Sequence, residues 1–226
     1  MIVALYFWDV KISSAPRAIS HMALDRFGLA RLKRKKEISF FKLLGTGKGQ
    51  TFTPRDADAT RWGLLVVLPK SAVDKFDNST LINSWRGCAR SEYRTLLSPI
   101  ASHGLWAGAD PFPITQSTSW NGKVAAITRA RIVPSKNLLF WRSVPPVTAS
   151  LKGSPGLLAA IGIGEAPIGL QGTFSIWENA AALRNFAYGG AAHQAAIAAT
   201  SEHNWYSEEL FARFAVTHER GELKAH

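Results

Sequence analysis

The sequence predicts an α+β fold built from two tandem ferredoxin-like βαββαβ units within one chain. Three observations predict it. Read for strand and helix period, the apolar runs fall in the order βαββαβ, and the same order begins again after a Gly- and Trp-containing loop. FFKLLGTG at Phe40 to Gly47 resembles LLAAIGIG at Leu157 to Gly164, each an apolar strand ending in Gly-x-Gly. Each leads through a loop to another apolar strand and then to a helix closing on phenylalanine, Phe76 in LPKSAVDKF and Phe186 in IWENAAALRNF. This is the pattern of an internal duplication. Two such sheets packed face to face make a barrel-like core with helices outside, so that neither half exposes an apolar sheet face. The halves are residues 1–122 and 123–226, forming one integrated structural domain.

The first half reads as a strand at Ile2 to Val10, a helix from Pro16 to Arg34 and a strand at Ile38 to Leu44. A strand at Trp62 to Leu68, a helix from Ala72 to Arg86 and a strand at Tyr93 to Ile100 follow. A loop runs through His103 to Gly122. The second half gives a strand at Val124 to Val133, a short helix from Lys136 to Trp141, and strands at Leu157 to Gly164 and Thr173 to Trp177. Helical segments from Asn179 to Thr200, broken at Gly189 and Gly190, precede a last strand at Phe211 to Thr217.

With 46% hydrophobic and 19% charged residues among 226, the chain has the composition of a folded globular protein rather than a disordered one. MIVALYFWDVK has no positive residue before its apolar stretch and no small-residue cleavage site, so it reads as a first strand and not as a signal peptide. Leu64 to Leu68 and Leu157 to Gly164 fall far short of the roughly 20 residues a membrane helix needs, and a cytoplasmic protein is expected. Cys88 is the single cysteine, which excludes an intrachain disulfide and a multi-cysteine metal site, and it reads as an ordinary buried thiol. The net charge of +11 is concentrated N-terminally, most densely in RLKRKK at Arg31 to Lys36. Such a run serves as a solvated helix end favoured by the dipole, or holds phosphates of nucleic acid or anionic lipid.

Gly45, Gly47 and Gly49 invite a phosphate-loop reading, but neither the Gly-Lys-Ser/Thr ending nor the dinucleotide spacing is present. A strand end and turn needing positive φ accounts for them better. Gly-x-Ser-x-Gly and nicotinamide or flavin fingerprints are also missing. The six histidines are His21, His103, His193, His203, His218 and His226, and none forms a close metal-binding pair. A haem iron needs only one protein ligand. His193 is the best placed, because Ala196, Ile197 and Thr200 share its helix face while Ala192 and Ala199 widen it, and small side chains let a flat porphyrin lie close. A satisfied or exposed helix histidine is the competing reading. His203, ten residues on, points roughly 80° away at roughly 100° per residue, while His103 is placed to line a cavity mouth. Arg129 and Arg131 lie two apart on the apolar strand VAAITRARIV, share a face and demand an anionic partner. A haem propionate, a bound oxygen ligand or a structural carboxylate would each serve.

The chain resembles the spheroidene monooxygenase family of haem-containing carotenoid oxygenases. The resemblance covers nearly its whole length, through FFKLLGTGKGQTFTP from Phe40, HGLWAGADPF from His103 and AAITRARIVPSKNLLFWRSVPPV from Ala125. It continues in GIGEAPIG from Gly162, TFSIWENAAALRNFAYGGAAHQAAI from Thr173 and WYSEELFARF from Trp205. It implies a fold of the dimeric α+β barrel type that binds haem b, and hence iron, through a histidine on the C-terminal helix. Carried onto this sequence, that ligand is His193, with Ala196, Ile197 and Arg131 beside the cofactor and Arg129 steering oxygen or a propionate. The implied reaction inserts oxygen into an apolar substrate such as a carotenoid, using dioxygen and electrons from a donor such as a ferredoxin. Arg31 to Lys36 would bring the enzyme to the inner-membrane surface or dock an acidic donor; nucleic acid is not the expected partner, and a homo-oligomer is left open. Aldoxime dehydration, peroxide-driven oxidation, or non-catalytic haem or lipid binding would be compatible with the same fold.

Overall fold

The computed structural model of the chain describes residues 1–47, 56–114, 119–136, 151, 153–165, 170–189 and 206–223. Its elements are β1 (Ile2–Val10), α1 (Ala15–Arg34), β2 (Phe40–Gly47), β3 (Ala57–Leu68), α2 (Val73–Asp77), α3 (Thr80–Arg86) and β4 (Ala89–Gly104). β5 (Val124–Ile132), β6 (Leu157–Gly164), β7 (Leu170–Trp177), α4 (Ala180–Gly189) and β8 (Tyr206–Arg220) follow. Two compact units interleave along the chain: residues 1–46, 58–98 and 216–223 form the first, and 47–57, 99–215 and 224–226 the second.

In the first unit the strand order is β4-β1-β3-β2. β1 pairs antiparallel with both neighbours, Tyr6 lying opposite Leu64 on one side and Arg94 on the other. Strand alternation sends Ile2, Ala4, Tyr6, Trp8 and Val10 towards the helices, where they join Leu64, Val66, Ala18, Leu29, Phe76 and Trp85 in one buried cluster. Val3, Leu5 and Phe7 on the opposite face are equally buried. Burial on both faces is why β1 reads as an unbroken apolar run rather than an alternating one.

Pro16 stands in the first turn of α1, where an N–H would have no helical partner, and Arg31, Lys33 and Arg34 lie in its last turn near the free carbonyls. Beyond it Lys36 takes the left-handed conformation at φ 61°. The amides of Lys36 and Glu37 bond back to the carbonyls of Lys33 and Leu32, at 3.0 and 3.1 Å, closing a Schellman turn. The single helix expected from Ala72 to Arg86 is two, α2 and α3. Ser79 is extended between them, and its hydroxyl accepts from the Ile82 amide at 3.4 Å, so it caps a new helix rather than continuing the old one.

In the second unit the order is β6-β7-β5-β8, antiparallel throughout. Val124, Ala126 and Trp177 face α4, whose Leu183 and Phe186 pack on them, with the Phe186 ring 5.2 Å from that of Trp177. Asn179 caps α4, its Oδ1 accepting from the amides of Ala181 and Ala182 at 3.0 Å each. By alternation Ala125, Ile127 and Arg129 point to the other face of β5, away from α4. The expected helix from Lys136 to Trp141 lies outside the described residues beyond Lys136, and so does the helical stretch expected from Gly190 to Thr200. Among the described residues no helix is long and apolar enough to cross a membrane.

Candidate functional site

Arg129 sits in the middle of β5, opposite Gly172 of β7 and Leu210 of β8. It is only 4% exposed. A Cβ at Gly172 would come 2.3 Å from the Thr128 carbonyl oxygen and 3.1 Å from the Arg129 Cα, so only glycine lets the two strands approach here. The guanidinium is ion-paired through Nη1 with Glu208, on the diagonal position of β8, and its Nη2 lies 3.4 Å from Glu165 Oε1. Its Cζ stands 5.7 Å from the ring centroid of buried Trp106, whose indole N–H donates to the same Glu165 oxygen at 2.6 Å.

Glu208 has a second task. Its Oε1 and Oε2 accept from the amides of Ala107 and Gly108 at 3.0 and 2.7 Å, in a turn where both residues have positive φ. The turn is closed by mutual backbone bonds between Trp106 and Ala109. Burial alone would raise the Glu208 carboxyl, but the Gly108 and Ala107 amides and the Arg129 guanidinium together hold it below the ordinary carboxylate range. The result is a carboxylate that fastens the Trp106 turn to β8 and to Arg129.

Four chain segments therefore meet in the second unit: the Trp106 turn, β5, the end of β6 and the start of β8. Arg129 was expected to need an anionic partner, and the partners present are protein carboxylates. The Nη groups are engaged by them, and Nε is buried with no hydrogen-bond partner among the described residues. Trp106, Glu165 and Glu208 were not singled out in the sequence, although each lies in a segment that carries the family resemblance. Arg131 is exposed, and its carbonyl accepts from the Ser207 hydroxyl at 3.3 Å.

His193, Ala196 and Ile197 lie outside the described residues, as do Gly49, His203 and His226. Gly45 and Gly47 belong to β2, and the positive-φ glycines among the described residues are Gly104, Gly108, Gly156 and Gly221. The positive-φ turn expected at Gly45 and Gly47 is thus corrected: both continue the strand. A Cβ at Gly162 would stand 3.4 Å from the Gly47 carbonyl oxygen, so the two Gly-x-Gly motifs permit close backbone approach. His103 is exposed at the end of β4. Cys88 is half-buried with Sγ 3.2 Å from the Trp85 carbonyl, and burial pushes its thiol up, in keeping with an unreactive thiol.

A second polar cluster lies in the first unit. Asp77 is bonded by Arg86 and Arg220 at 2.8 Å each and by the Tyr6 hydroxyl at 3.1 Å, with Arg94 Nε 3.8 Å away. Glu92 accepts from Arg86 at 3.0 Å, from the Trp8 indole at 2.8 Å, and from Arg220. Burial would raise both carboxyls, and the surrounding guanidinium groups pull them below the ordinary range. Burial and then the Asp77 charge push the Tyr6 hydroxyl far up, so it stays protonated. This cluster ties β1, α2, α3, β4 and the end of β8 together and is structural.

Duplicated βαββαβ units of this kind define the dimeric α+β barrel class, here with both units in one chain. A solved aldoxime dehydratase shares the fold with a TM-score of 0.56 at 10% identity, covering 95% of this chain and 79% of that one. No family model matches the chain. The chain belongs to the spheroidene monooxygenase family. It is 36% identical over 208 residues to the spheroidene monooxygenase of Rhodobacter capsulatus, covering 90% of this chain and 85% of that protein. To that of Cereibacter sphaeroides it is 34% identical over 201 residues, covering 88% and 61%.

Proposed function

We propose that the chain is a haem-dependent monooxygenase that inserts oxygen into a long apolar polyene of the carotenoid kind. The observation that carries this reading is an identity of 34% to 38% to three proteins named spheroidene monooxygenase, spread over most of the chain. One oxygen atom of dioxygen enters a C–H bond and the other leaves as water, with two electrons from a separate donor such as a ferredoxin and two protons from solvent.

Among the described residues no three His, Cys, Asp or Glu side chains gather to hold a metal ion. A porphyrin iron asks for one protein ligand, and His193 in its alanine run, with Ala196 and Ile197 beside it, is the residue assigned that role. Haem, when bound, supplies the redox centre that insertion into a hydrocarbon requires. The described cations do not fit a propionate at Arg129, because both Nη groups are on Glu208 and Glu165. Arg129 is instead assigned as a positioning residue that holds the Trp106 turn. Of the two arginines on this strand, Arg131, which is exposed, is the candidate for a propionate.

The absorption spectrum of the purified protein tests the reading. A Soret band is expected, lost in His193→Ala and restored by added imidazole. A spectrum unchanged by His193→Ala would overturn the ligand assignment, and oxygen uptake that proceeds without any haem would overturn the cofactor.

A further inference from the structure

The outward face of α1 carries large apolar residues where a helix on a sheet ordinarily carries polar ones. Ala15, Ala18 and Leu29 mark its buried side. On the far side Ile19, Leu24 and Phe27 are 55%, 65% and 62% exposed, and Ile12 in the turn leading into the helix is 68% exposed. At roughly 100° per residue Ile19, Ala23 and Phe27 fall within about 80° of one another and form a strip, with Leu24 about 60° further round the helix beyond exposed Ser20. Single exposed apolar residues need no explanation, whereas a strip of this kind marks an interaction surface.

The strip is framed by cations. Arg17 and Arg26 flank it, and Arg31, Lys33, Arg34, Lys35 and Lys36 crowd its C-terminal end. The guanidinium carbon of Arg26 lies over the Phe27 ring, 4.8 Å from its centroid. The one acid within the helix, Asp25, is turned inward, accepting from the Trp85 indole at 2.8 Å with His21 3.5 Å away. Of the C-terminal cations, Lys36 holds a left-handed position that glycine ordinarily fills.

We propose that this face docks on an anionic phospholipid surface, with α1 lying in the plane of the headgroups and Leu24 and Phe27 entering the acyl boundary. A basic helix with large apolar residues on its free face is the signature of such binding. Twenty residues give a contact line of about 30 Å, at 1.5 Å per residue. An acidic protein would match the cations but would leave Ile19, Leu24 and Phe27 without a function. The inference stands on α1 alone and does not depend on the proposed reaction.

Sedimentation of the full-length protein with vesicles tests it, and needs neither substrate nor turnover. Binding is expected to phosphatidylglycerol mixed with phosphatidylcholine, and not to phosphatidylcholine alone, weakening as salt is raised. Leu24→Ser/Phe27→Ser removes two exposed apolar groups and should leave folding intact by circular dichroism while cutting partitioning about tenfold or more. Arg31→Glu/Arg34→Glu should abolish the preference for phosphatidylglycerol. Failure of the wild-type protein to sediment with anionic vesicles would overturn the proposal. So would vesicle binding that Leu24→Ser/Phe27→Ser leaves unchanged, because the attraction would then be charge without insertion.

Discussion

The Asp77 carboxylate takes a two-point bond from Arg220, 143 residues further along the chain, with Nη1 donating to Oδ2 at 2.8 Å and Nη2 to Oδ1 at 3.1 Å. The far end of β8 is thereby fixed to the C-terminus of α2, and Arg86 completes the attachment through both Asp77 and Glu92. Paired bonds of this geometry fix orientation as well as distance.

Asp77→Ala would leave Arg86, Arg94 and Arg220 crowded without their shared anion, and it should cost about 3 kcal/mol of unfolding free energy, as breaking a buried pair does. The pH dependence follows from the direction of the shifts. Both Asp77 and Glu92 have folded pKa values below their ordinary ones. Their contribution is full above the unfolded carboxylate range and is lost as pH falls through the folded values. Denaturant unfolding of wild type and Asp77→Ala should therefore converge on acidification, below about pH 4. A constant difference down to the acid limit would show that the Asp77 charge is not what stabilises the cluster.

Glu208 joins the Trp106 turn to Arg129, and Glu208→Gln should release the turn while preserving side-chain shape. Its amide replaces one acceptor oxygen with an NH2 donor, which must face an N–H of Gly108 or of Ala107 and Arg129. Hydrogen exchange over the peptide containing Trp106 to Ala109 should accelerate about tenfold or more. Arg129→Lys should reproduce most of this loosening, because an ammonium cannot match the fork that reaches Glu208 and Glu165 together. If turnover depends on the turn, kcat falls in both variants. Exchange unchanged in Glu208→Gln would show that the two backbone bonds between Trp106 and Ala109 suffice.

What the sequence revealed of this site, and what it hid, has a physical basis. A cation in the apolar run VAAITRARIV had to find an anion, so Arg129 was visible as a buried residue in search of a partner. Its partners lie 79 and 36 residues away, at Glu208 and Glu165, and no local period reports a contact across that separation. Strands β1 and β6 were legible to the residue because their apolar runs are sharply bounded. β4 extends well beyond Tyr93 to Ile100, since Ser91 and Glu92 are strand residues only by pairing with Asp9 and Trp8 of β1. The break between α2 and α3 was available in Asn78-Ser79-Thr80, a capping signal that the surrounding helical period obscured. The fold class was legible because the period and the duplication agree over many elements, whereas a polar site depends on a few long-range pairs.

Two glycines test how closely the backbone is packed, and they should respond in opposite senses to the same added methyl. At Gly28, within α1, a Cβ meets nothing within 4 Å, so Gly28→Ala should raise stability by about 0.5 to 1 kcal/mol through the lower entropy of the unfolded chain. At Gly172 the Cβ would stand 2.3 Å from the Thr128 carbonyl oxygen, a backbone atom that cannot turn away. Gly172→Ala must therefore push β7 from β5 beside Arg129, at a cost of about 2 kcal/mol or more. Thermal unfolding reads both, and the Gly172 variant should also show faster exchange at Trp106 to Ala109, because displacing β5 moves the guanidinium that Glu208 holds. Gly172→Ala with wild-type stability would mean that β5 and β7 are farther apart at this register than the structure places them.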